Sequence, residues 1–266
     1  MVKLLTNVPA RDLRLLLDPL SELVGRGGAL RGSLAGQFIS EGNRYEIPRL
    51  VFAGPTAGQT PIRLGVFGGV HGDEPSGGEA LVRFLTALVQ NPQRAQGYEL
   101  TIYPLCNPTG YEDNSRHNRA GKDLNREFWR DSAEPEVRIL EAELRANQFD
   151  GLIALHADDT CSGLYGYAHD RLLNESLLRP ALAASERILP RDSRPMIDGF
   201  SANDGIIHEC FCGVLSAPPE QQPQPFDIIF ETPALAPLAV QADAAALALQ
   251  TILDEYRGFI AQAQYL

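Results

Sequence analysis

Apolar residues recur along this chain with two different periods, and the switching between them lays out a run of helices and strands. Residues 12–24 carry helical spacing, with Pro19 as a point where that helix could split, and 25–36 is loop-like in composition. Residues 33–40 and 45–53 read as two strands joined at Glu41-Gly42-Asn43, the usual chemistry of a hairpin turn. A loop rich in Gly, Pro and Thr over 54–61 leads to a mostly apolar run at 62–67, read as a buried strand. Pro75 suits a first helical turn, and 79–89 continues as an amphipathic helix. A strand over 98–105, a helix over 135–147 and a wholly apolar strand over 151–155 follow. Helix alternating with strand over 62–155 predicts right-handed crossovers and an α/β fold, a mixed, mostly parallel twisted β-sheet flanked by helices.

The second half is less regular. Residues 171–189 look helical, 191–225 form a long stretch rich in Pro, Gly and Asp, and 226–230 is another buried strand. An Ala-rich helix over 236–261 closes the pattern, with Pro237 in its first turn. No repeat, low-complexity tract or shift in composition divides the chain. A single domain over 1–266 is expected, with 1–44 as a peripheral helix and strand.

At 266 residues the chain can bury a sizeable core. Its formal charge of −11 and pI near 4.9 argue against nucleic acid or an anionic membrane as the main partner, since the summed field repels both. No run reaches the roughly 18 apolar residues of a membrane span. Asn7 and Pro9 fall where a signal peptide needs its apolar stretch, so a cytoplasmic protein is expected. Cys106, Cys161, Cys210 and Cys212 then read as reduced thiols. The pattern leaves oligomeric state open.

Three apolar strands end on residues with chemistry. The strand at 62–67 runs into Gly68-Gly69-Val70-His71-Gly72-Asp73-Glu74, whose glycines let the backbone turn tightly enough to present His71 and Glu74 together. The strand at 151–155 ends at His156, and that at 226–230 ends at Glu231. His-x-x-Glu alone is a weak signal, but in an open α/β sheet the carboxyl ends of parallel strands face one crevice. With His71, Glu74 and His156 as protein ligands, a zinc ion keeps a fourth position for water, the arrangement of catalytic sites. Glu231 is the candidate to take that water's proton. A basic loop, Arg116 to Arg126, brings positive charge into an acidic protein. Its arginines could grip a carboxylate or an oxyanion, or simply be solvated.

Taken together, His71-x-x-Glu74, Asp123-Leu124-Asn125-Arg126, His156 and Phe230-Glu231-Thr232-Pro233 resemble the zinc carboxypeptidase superfamily. This carboxypeptidase A-like clan also holds murein-peptide amidases and the succinylglutamate desuccinylase/aspartoacylase branch. The resemblance covers roughly residues 45–260. It implies one Zn2+ per chain on His71, Glu74 and His156, with Glu231 as general base and then proton donor. It further implies that Asn125 and Arg126 hold the substrate's free carboxylate, Arg116 polarises the scissile carbonyl and Asp123 orients a zinc-bound His. Asn107-Pro108-x-Gly110 is similar to the family's turn after its next strand. Classical members place a substrate-clamping tyrosine before the catalytic Glu, yet no Tyr occurs here between Tyr167 and Tyr256. Tyr165, with Tyr167, could lean over the cleft instead. Arg116 has the spacing to Asn125 seen in the murein-peptide amidases, while Arg119 is close enough in sequence to take the oxyanion role. His117, His169 and His208 match no motif.

The implied activity is hydrolysis of an amide bond beside a free carboxylate. The first reading is a metallocarboxypeptidase acting on short peptides, cell-wall-derived ones among them. The second is an N-acyl amino acid deacylase of the desuccinylase kind. A zinc-binding or ligand-binding protein without turnover stands third, since it would show a replaced base or a missing ligand.

Overall fold

The computed structural model describes residues 10–169 and 172–263. Arg171 and nearly all of the segment weighed as a signal peptide therefore lie outside the described residues. In chain order the elements are α1 (Arg14–Gly25), β1 (Leu30–Ser40), β2 (Asn43–Ala53), β3 (Ile62–Gly68), α2 (Pro75–Gln90), β4 (Tyr98–Tyr103), α3 (Pro108–Asp113) and α4 (Pro135–Asn147). Then come β5 (Gly151–Asp158), β6 (Tyr165–Tyr167), α5 (Leu172–Ser185), β7 (Met196–Ile197), β8 (Phe200–Asn203), β9 (Ile206–Ile207), β10 (Phe226–Pro233) and α6 (Leu238–Ala263).

The strands share one mixed sheet in the order β1-β2-β4-β3-β5-β10-β6-β9-β8-β7. Its centre, β4-β3-β5-β10, is parallel throughout. The β1–β2 hairpin adds to β4 antiparallel, and β6 adds to β10 antiparallel; beyond β6 the short β9 adds parallel and β8 antiparallel. Both faces of that middle are covered, which is why its strands are nearly all apolar. Leu64, Val66, Ile153, Leu155, Ile228 and Phe230 pack into a cluster with side chains of α1, α2, α5 and α6. Phe67, Tyr103 and Leu152 face the other way, against Val137 and Leu140 of α4. Each such side chain contributes roughly 1.5–3 kcal/mol by leaving water.

Three expectations are corrected. Residues 30–32 are strand rather than loop, so β1 begins three residues before the expected 33; within it a Cβ on Gly36 would lie 2.8 Å from Ile139, and the glycine lets α4 pack on β1. Pro19 does not split α1, which runs through it with Leu16, Leu20 and Leu23 buried along one stripe. The stretch after residue 158 carries four short strands, β6 to β9, that the apolar pattern does not announce. Among the described residues no helix is long and apolar enough to cross a membrane.

Candidate metal centre

The turn after β3 is built around close backbone approach. Gly69 has φ +61°, and a Cβ on Gly72 would sit 1.9 Å from the carbonyl carbon of Gly110 in α3. Only glycine fits there. The chain re-enters helix at Pro75, which leaves Glu74 at the N-cap of α2 with His71 one short turn earlier.

His156 and Glu231 are register partners on the adjacent parallel strands β5 and β10, and Tyr165 of β6 pairs with Glu231 from the far side. Partners in a sheet share a face. Alternation fixes which one: Ala154 and Ile229 pack away from the α2–α6 layer, and His156 and Glu231 stand two residues further on.

His71, Glu74, His156 and Glu231 are all buried. The donors of the first three converge: His71 Nδ1 lies 2.6 Å from Glu74 Oε1, His156 Nδ1 lies 2.9 Å from Glu74 Oε2, and the two Nδ1 atoms are 3.1 Å apart. Among the described residues this is the one trio of His, Cys, Asp or Glu gathered closely enough to hold a metal. Asp123 presents Oδ1 to His71 Nε2 at 3.1 Å and accepts from Arg116 Nε through Oδ2 at 3.1 Å. Arg116 Nη1 in turn reaches Glu74 Oε1 at 3.3 Å, and the backbone N–H of Ala157 donates to Glu74 Oε2 at 3.1 Å. His156 Nε2 is buried without a hydrogen-bond partner among the described residues.

Titration follows from this packing. Burial alone would lower His71, but Glu74 and Asp123 outweigh it and push the imidazole up to about 9. Burial likewise opposes the charged forms of Glu74 and Asp123, yet their cationic neighbours hold both well below the usual carboxylate range. Glu231 goes the other way: burial, then Glu74, Asp158 and Asp198, raise it well above an ordinary glutamate.

A cleft of about 450 Å³ opens over these groups, lined by His71, Glu74, Arg116, Asn125, Arg126 and Glu231 among others. Tyr165 lines it too, almost wholly buried, with its hydroxyl donating to Asp158 Oδ2 at 3.1 Å. Asn125 accepts from the Leu215 N–H through Oδ1 at 2.8 Å. Arg119 is not brought to the cleft. Its guanidinium is held by Asp113, Glu112 and the hydroxyl of Tyr45, which corrects its assignment as a substrate or oxyanion residue: nearby carboxylates captured it. Asp158, Asp198 and Phe211 also line the cleft, and the sequence reading passed over all three. Phe211 sits between Cys210 and Cys212, both exposed, whereas Cys106 and Cys161 are buried.

Residues 61–161 match the family model of the succinylglutamate desuccinylase/aspartoacylase catalytic domain, a stretch holding every site residue above up to His156 but not Glu231. Carboxypeptidase SOL1 of Arabidopsis thaliana is 31% identical over 105 residues, which are 34% of this chain and 21% of that protein, so the chain spans about a fifth of its length. A crystal structure from Shewanella amazonensis, provisionally described as a metallopeptidase, superposes with a TM-score of 0.76 at 24% identity, over 91% of this chain and 92% of that one. A metallo-carboxypeptidase from Pseudomonas aeruginosa, in complex with (2-guanidinoethylmercapto)succinic acid, superposes at 0.71 with 17% identity, over 92% of this chain and 70% of that one. The chain has the zinc carboxypeptidase fold.

A zinc carboxypeptidase fold implies a metal, and the residues present fit one. Two imidazole nitrogens 3.1 Å apart, both turned on one carboxylate, cannot all present lone pairs to each other without a proton or cation between them. Two nitrogens and a carboxylate also suit zinc, in number and kind, for a site that keeps one position open.

Proposed function

We propose that this protein is a zinc-dependent hydrolase that cuts an amide bond beside a free carboxylate, releasing the C-terminal residue of short peptides. The observation that carries this reading is the pairing of Glu231 with His156 across β5 and β10. It sets a carboxylate that no hydrogen bond ties down among the described residues beside three converging metal donors.

His71, Glu74 and His156 would hold the ion, and the chemistry zinc supplies in such a set is Lewis acidity towards water and a carbonyl oxygen. Glu231 takes the proton of the attacking water and returns it to the leaving amine. Its raised pKa suits both roles, since it keeps the carboxylate a strong base and the acid form accessible. Arg116, fixed by Asp123 and Glu74, steadies the charge that develops on the carbonyl oxygen. Arg126, with Asn125 beside it, receives the substrate carboxylate. Asp123 sets the ring angle and tautomer of His71.

An N-acyl amino acid deacylase is the second reading, favoured by the family-model match over 61–161. Water attacks an amide in both. They differ in which fragment carries the carboxylate held by Arg126. Turnover of dipeptides, N-acyl amino acids and muropeptide fragments by zinc-loaded protein decides between them. Glu231→Gln should keep its zinc and lose on the order of 10²–10⁴ in kcat. A protein that binds these compounds and is indifferent to that substitution is not an enzyme of this kind.

A further inference from the structure

Arg126 lines the cleft of an acidic protein, yet among the described residues no carboxylate pairs with it, whereas Arg116 is paired twice. What holds Arg126 is different in kind. Its guanidinium carbon lies 4.0 Å from the centroid of the Phe211 ring, and Nη1 donates to the carbonyl of Asn125 at 2.8 Å. We propose that Phe211 is the positioning residue for Arg126, stacking on the guanidinium face so that its edge is left to a substrate carboxylate. This rests on the reading of Arg126 as the carboxylate anchor.

The physical basis is the division of one cation between two kinds of contact. A carboxylate partner from the protein would occupy the N–H fork itself and compete with substrate. An aromatic ring attracts the same cation through its face and consumes no N–H, so the in-plane donors stay available for a bidentate grip.

The ring is itself held. Phe211 packs edge-on against Phe200 with centroids 4.7 Å apart, and Phe200 against Tyr167 at 6.3 Å, which carries the support back to β6 in the sheet. The loop bearing Phe211 is laced to the segment bearing Arg126: Phe128 N–H donates to the Gly213 carbonyl at 3.1 Å, and Leu215 N–H to Asn125 Oδ1 at 2.8 Å. The fit leaves no slack, because a Cβ on Gly213 would lie 2.3 Å from the carbonyl oxygen of Arg126. A ring placed this way fixes the direction of the arginine without touching the reacting atoms.

The test is calorimetric titration of zinc-loaded protein with (2-guanidinoethylmercapto)succinic acid, whose succinate carboxylates probe the anchor directly. Wild type, Phe211→Leu, Phe211→Tyr and Arg126→Met are compared, with zinc content and thermal unfolding as checks on the fold. Phe211→Leu keeps most of the bulk and removes the π face, so it should weaken binding about five- to tenfold, while Phe211→Tyr stays near wild type. In a dipeptide assay Phe211→Leu should raise KM and leave kcat within about twofold. If Phe211→Leu binds like wild type while Arg126→Met loses the ligand, the positioning role is wrong and the anchor stands. If wild type does not bind the probe, or Arg126→Met binds it as wild type does, the anchor itself is wrong and this inference falls with it.

Discussion

The two ring nitrogens of His71 meet different partners. Nδ1 turns to Glu74 and His156, while Nε2 meets Asp123 at 3.1 Å. Asp123→Asn removes the charge that fixes this division, and zinc affinity should fall about 10- to 100-fold in competition with a chelator of known strength; unchanged affinity would leave Asp123 with no part in the metal centre. Proton competition adds a second test. Without metal, burial disfavours the His71 cation, but Glu74 and Asp123 raise it to about 9, so at neutral pH it carries a proton that a metal must displace. Apparent zinc affinity should therefore climb as pH rises towards about 9, with proton release on binding at pH 7; a flat profile would mean that His71 is not a ligand. Arg126→Met should harm substrates with a free carboxylate far more than esterified ones, and equal losses on both would end its proposed role. At this scale the sequence reading and the structure bring the same residues together where a strand end dictates direction, as at His71, His156 and Glu231. It misplaces Arg119 because chain proximity to Asn125 says nothing of Glu112, Asp113 and Tyr45, which compete for its guanidinium.

Among the elements, the turn between β3 and α2 is the least forgiving. With Gly110 of α3 1.9 Å from the position a Cβ would take, Gly72→Ala must push two backbones apart. The expected cost is about 1–3 kcal/mol, several degrees in Tm, together with weaker metal binding because His71 and Glu74 flank the displaced residue. An unshifted Tm would show that the turn has room. The central strands are legible from sequence because burial on both faces forces unbroken apolar runs. β7, β8 and β9 are not, because strands of two to four residues show no period. Phe211 and Asp198 went unseen for that reason: they belong to the irregular stretch that walls the cleft, and only tertiary packing gives them a direction.

For the molecule as a whole, the question is whether metal holds the fold together or merely occupies it. The two apolar clusters lie on opposite faces of the central strands, and the candidate metal donors stand beyond them at strand ends. His71→Ala should therefore lose zinc and still unfold cooperatively, with a Tm near that of the metal-free wild type. Zinc at 100 times its Kd should stabilise the wild type by about 2.7 kcal/mol and leave His71→Ala unmoved. Cooperative loss of structure on chelation would make the ion part of the scaffold.

The pairing of Glu231 with His156 also says how this site can and cannot drift over generations. Distance along the chain between His156 and Glu231 carries no information, since it is their register across β5 and β10 that brings them together. What cannot change is parity. One residue inserted in β10 ahead of Glu231 would turn its carboxylate under the α5–α6 layer and bring a phenylalanine over the metal. Insertions between β5 and β10 should thus be tolerated in loops away from the tightly packed 211–215 segment, while the strands admit changes only two residues at a time.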